Sequence, residues 1–82
     1  MGEVRLRIKI VADDGTRFTA MFEPLGMSYD LEPESHMHAA VAQFRDGENQ
    51  LEIIQWAGGI SIWAPGAVTT YDANGVKLDE LN

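Results

Sequence analysis

Val4, Leu6, Ile8 and Ile10 alternate with Arg5, Arg7 and Lys9, a period of two that predicts a half-buried strand with one apolar and one basic face. ADDGT follows. Asp14-Gly15 between two alternating runs predicts a hairpin, because glycine takes positive φ without steric penalty. In the returning run RFTAMFE, Phe18, Ala20 and Phe22 fall inward and Arg17, Thr19, Met21 and Glu23 outward. Pro24 cannot donate to a ladder and Gly26 suits a turn, so PLG ends that strand. MSYDLE then sets Met27, Tyr29 and Leu31 against Ser28, Asp30 and Glu32.

Further along, NQLEIIQWA is apolar on both faces around Ile53, Ile54 and Trp56, the pattern of a central strand or of one covered by another layer. Gly58-Gly59 marks a turn, ISIW a strand, APG a break and AVTTYD another strand, and Asn74-Gly75 returns the chain into a short VKL. Turn signals every eight to twelve residues or so predict an all-β domain: a small sandwich or barrel of about six to eight short antiparallel strands, mainly in meander or hairpin order. No linker or internal repeat divides the chain, so residues 1–82 read as a single β-domain.

Residues 35–45 fit two elements. Met37, Ala40, Val41 and Phe44 stand at helical spacing, with Ser35 as N-cap and Gly47 as a stop. The same stretch alternates through Met37, Ala39 and Val41 between neighbours that are strands. As a strand following a three-residue loop at Pro33-Glu34-Ser35, with Pro33 at the first central position of a type I turn, it sets Glu32 opposite His36 and Asp30 opposite His38. One outer face would then gather Asp30, Glu32, His36 and His38, either as cross-strand ion pairs or as ligands for a transition metal. The HMH triplet resembles the His-x-His that opens the cupin metal motif. A cupin adds a glutamate four or five residues later and a further histidine; here those positions are Ala42 and Gln43, and the chain holds only two histidines.

The absence of cysteine removes disulfides, thiolate nucleophiles and Cys-ligated metals. A net charge of −7 opposes the electrostatic attraction that drives binding to nucleic acid or anionic membrane, so neither is an expected partner. No apolar run of signal-peptide or membrane-spanning length interrupts the pattern, and the expected location is cytoplasmic. Ser28, Ser35 and Ser61 lack the context of a nucleophile, so no catalytic residue and no cofactor is expected. The stripe Arg5, Arg7 and Lys9 is expected either to pair with carboxylates on adjacent strands or to dock an acidic partner.

Two tryptophans and a two-faced apolar strand exceed what so small a core readily hides. The sequence therefore points to a non-catalytic acidic domain working by protein association, as a homo-oligomer or as an inhibitor-like or accessory subunit. Small bacterial immunity proteins are similar in size and charge, without a shared motif. The expected binding face comprises Trp56, Trp63 and Met21, with Asp30 and Glu32 as its charged rim. The alternative is a minimal barrel that binds a metal or small ligand through His36 and His38, assisted by Asp30 and Glu32.

Overall fold

A computed structural model describes residues 4–43 and 50–81 of the chain, with side chains described over 5–42 and 50–81. It is all-β, a small sandwich. The strands are β1 (Val4–Val11), β2 (Phe18–Glu23), β3 (Met27–Leu31), β4 (His36–Gln43), β5 (Glu52–Trp56), β6 (Gly59–Trp63), β7 (Val68–Tyr71) and β8 (Lys77–Leu81). One sheet, here the basic sheet, has the order β1-β4-β7-β8; the other, the tryptophan sheet, has the order β3-β2-β6-β5.

The predicted faces match the observed burial. Ile10, Ala20, Phe22 and Leu31 are buried, whereas Arg5, Arg7, Lys9, Ser28 and Asp30 are exposed. β1, β2, β3, β4, β6 and β7 thus turn apolar side chains to the other sheet, and Phe22, Met37, Val41, Ile62 and Val68 meet between the layers. Residues 36–43 form a strand, not a helix. Met37, Ala39 and Val41 line its inner face, while Ala40 and Ala42 lie outward among the side chains of neighbouring strands. Phe44 and Gly47, which supported the helix, lie outside the described residues.

Strand pairing departs from a meander. Hairpins join β2–β3, β5–β6 and β7–β8, but β2 and β6 run parallel. The expected hairpin at Asp14-Gly15 does not form. Gly15 does take positive φ (80°), yet the turn carries the chain from one sheet to the other, so that the apolar faces of β1 and β2 oppose each other across the core.

The same correction applies to β3 and β4. Glu32 to Ser35 is a tight turn in which Ser35 N–H donates to Glu32 O at 3.0 Å. Its second central residue, Glu34, has φ 68°, so the turn is of type II, not type I. Glu34 N–H also donates to Ala12 O, and Ala12 N–H to Ser35 O, which ties the turn to the end of β1. β4 therefore pairs with β1 and β7 in the basic sheet, while β3 pairs with β2 in the other.

A third correction concerns β5. It is neither central nor covered: all five of its residues are exposed at an edge. The two-residue loop Ala57-Gly58 fixes β5 beside β6, and the other side of β6 is taken by β2. Among the described residues no further strand covers the second face of β5.

Candidate functional site

The outer face of the tryptophan sheet follows from register. Met21 lies beside Ser61 and Ser28, Ser61 beside Ile54, Trp63 beside Glu23 and Glu52, and Thr19 beside Asp30 and Gly59. Since paired residues share a face, Met21, Ile54, Trp56, Trp63 and Asp30 all lie on this one surface. Trp56 and Trp63 are 39% and 41% exposed, and Ile54 is 48% exposed. Glu32 lies just beyond the strand and forms an ion pair with Arg17 at 3.1 Å. Asp30 accepts a hydrogen bond from Thr19 Oγ1 at 2.8 Å. The five residues expected at a binding face therefore occupy one side of the molecule. Ile54, not assigned to that face from sequence, joins it through Ser61, whereas Ile53 pairs with the buried Ile62 and lies on the opposite, inner side of β5, exposed only because β5 is an edge.

Trp56 also has a local task. Its indole lies over Gly59, where an added Cβ would stand 2.8 Å from the ring carbon Cζ2 and 2.1 Å from Thr19 O. The absence of a side chain at Gly59 lets β6 approach β2 and gives the cross-strand Trp56 a seat.

The same junction sets the direction of the edge backbone. Thr19 N–H donates to Gly58 O at 2.9 Å, so the residues flanking Gly59 bond toward β2, and the N–H and C=O of Gly59 turn toward β5. Its antiparallel partner Trp56 is then a hydrogen-bonded pair, and by alternation so are Ile54 with Ser61 and Glu52 with Trp63. It follows that Ile53 and Gln55 direct their N–H and C=O groups away from β6, to the open edge.

The four sheet edges differ in protection. Outward-facing Arg5, Arg7 and Lys9 line β1, the polar Ser28 and Asp30 line β3, and β8 carries Lys77, Asp79 and Glu80 beside a register shift at Thr70/Tyr71. Charges, bulges and prolines are the usual devices that keep edges from pairing. β5 has Glu52 alone.

On the basic sheet, the histidines do not meet the carboxylates expected of them. His38 is paired with Lys9 and Tyr71, and His36 with Val11. The two imidazoles are neighbours on β4, edge to face with centroids 5.1 Å apart. Among the described residues no group of three or more His, Asp or Glu side chains is gathered closely enough to hold a metal ion. His36 and Asp30 do border one cleft of about 510 Å³, with Tyr29, Asp72 and Leu78 among its other walls. Asp72 Oδ1 there already accepts the backbone N–H groups of Asn74 and Val76.

The carboxylates expected beside Arg5, Arg7 and Lys9 are likewise not on the adjacent strand, where β4 presents Ala42, Ala40 and His38. Farther across the sheet, Glu80 is held below the usual carboxylate range by its hydrogen bond to Lys77, with Arg5 adding a smaller pull. Below the outer surfaces, Tyr29 joins the two sheets. Its hydroxyl donates to Asp79 Oδ2 at 2.8 Å and lies 2.9 Å from the hydroxyl of the fully buried Thr70. No family model, curated protein or solved structure matches the chain.

Proposed function

We propose that this is a non-catalytic acidic domain that works by associating with protein, and that its contact surface is the outer face of the tryptophan sheet together with the β5 edge. The observation that carries the reading is β5 itself, an edge strand with apolar residues on both faces and little charge to block it, beside two half-exposed tryptophans. Aromatic side chains and methionine are enriched at the centres of protein interfaces, with charge confined to the rim. Met21, Trp56 and Trp63 supply such a centre here, with Glu23, Asp30 and Glu52 around it.

The test compares the two outer faces. Association is expected to weaken at least tenfold: that with heterologous protein in Met21→Asp and Trp63→Asp, measured by surface capture, and self-association in Ile54→Asp, measured by sedimentation. Arg7→Ala with Lys9→Ala, on the opposite sheet, is expected to leave it unchanged. Equal behaviour of the two sets would contradict this assignment of the surface.

A second reading draws on the cleft that His36 and Asp30 share: it takes a small ligand there. That reading predicts ligand-dependent chemical shifts at Ser28, His36 and Ala73 with none at Trp63; a screen that moves only Trp63 and Ile54 contradicts it.

A further inference from the structure

We infer that the occupant of the β5 edge is a second copy of this chain, paired antiparallel through β5 about a two-fold axis at Ile54, so that the two tryptophan sheets join into one of eight strands. The inference rests on the association surface proposed above and names its partner.

Register is what singles out a second copy. A two-fold axis perpendicular to the sheet keeps both outer faces on the same side, and directly opposite residues must then share a face. Of the in-face registers, the one centred on Ile54 places Ile53 opposite Gln55 of the second copy, and Gln55 opposite its Ile53. These are the two residues whose N–H and C=O groups point to the open edge. All four free backbone groups on each strand are thereby used, in two hydrogen-bonded pairs flanking a close Ile54–Ile54 contact. A shift by one pairing step in either direction sets Ile53 against itself or Gln55 against itself, and leaves half of these groups facing a loop.

Side chains agree with that register. Glu52 lies opposite Trp56 of the second copy, and the two Glu52 carboxylates stand at opposite ends of the pairing, so like charges do not meet. Ile54, 48% exposed in the single chain, gains its own counterpart, and the 54% exposed Ile53 gains Gln55. The β1 edge lacks such a match, since self-pairing there would bring its outward Arg5, Arg7 and Lys9 against one another.

Size and charge set the strength. A pairing of two five-residue strands lies at or below the low end of specific interfaces, roughly 1,200 Å², so the dimer belongs to micromolar and not nanomolar concentrations. Each chain carries −7, so salt that screens their mutual repulsion should preserve or tighten the dimer. A basic partner on the same edge would instead be released by salt.

Sedimentation velocity from about 1 to about 500 μM chain, at low and high salt, tests this directly. The expected result is a monomer–dimer equilibrium that salt does not weaken. Gln55→Pro should weaken it about tenfold or more, because it deletes an edge-facing N–H in both copies while sparing the ladder to β6. Ile54→Lys, which sets like charges together at the axis, should abolish it; circular dichroism checks that both variants keep the β-domain. A wild-type chain that stays monomeric throughout overturns the self-pairing and leaves the association surface to be judged with heterologous protein. A dimer that survives both β5 variants but is lost in Trp63→Asp overturns the edge register while retaining the surface, and one that survives all three overturns both.

Discussion

Gly59 stands on β6 beside Thr19 of β2, and the missing side chain is the condition for that close approach. A Cβ there would come within 2.1 Å of the Thr19 carbonyl oxygen and 2.8 Å of the Trp56 ring. The first obstacle is backbone and cannot swing aside. Gly59→Ala is therefore expected to destabilise the fold by about 3 kcal/mol or more, at the upper end of overpacking substitutions; urea unfolding measures it. Glu34 shows the reverse situation. With φ 68°, it occupies a left-handed conformation that disfavours side chains with a Cβ and that asparagine tolerates better. Its side chain is exposed, and its backbone N–H already bonds Ala12 O. Glu34→Asn should stabilise the chain by about 0.5 to 1 kcal/mol in the same assay, and an equal loss would contradict the strain assigned to this turn.

Between elements, Tyr29 is the polar tie of the sandwich. It stands on β3, packs edge to face on Phe22 with centroids 5.9 Å apart, and reaches Thr70 on β7 and Asp79 on β8. Burial pushes its phenol up to about 12, with Asp79 adding to the rise and the Thr70 hydrogen bond opposing it. A raised folded value means that folding favours the neutral phenol. That contribution is complete below the unfolded value near 10 and is lost as pH climbs from about 10 to about 12. For a partly exposed group it amounts to about 1 to 2 kcal/mol. Unfolding free energies of the wild type should fall more steeply across this window than those of Tyr29→Phe. Parallel slopes would exclude Tyr29 as the source.

The strand faces were legible in the sequence because a period of two records which side of a strand is wet, as in Phe18, Ala20 and Phe22 against Thr19, Met21 and Glu23. Strand neighbours were not. Alternation states a face, not a partner, and a Gly-bearing turn such as Asp14-Gly15 serves an arch between sheets as well as a hairpin within one. His36 and His38 lost their expected carboxylate partners for that reason. The run around Ile53 and Ile54 was misassigned on different grounds, since an apolar second face marks either a covered strand or an edge awaiting cover. The candidate face was nonetheless readable residue by residue: Met21, Trp56, Trp63 and Asp30 do share one surface.

At the scale of the molecule, two outer faces divide the chemistry. The basic sheet exposes Arg5, Arg7 and Lys9, whereas the tryptophan sheet exposes indoles and aliphatics with Glu23, Asp30 and Glu52 near them. The feature on which the proposed association turns is the β5 edge. Amide hydrogen exchange read residue by residue at two chain concentrations tests that claim most directly. In the dilute chain, Ile54 and Trp56 are protected by β6 while Ile53 and Gln55 exchange freely; in the concentrated chain, Ile53 and Gln55 should become protected along with them. Protection of Ile53 and Gln55 that does not rise with concentration would contradict the pairing.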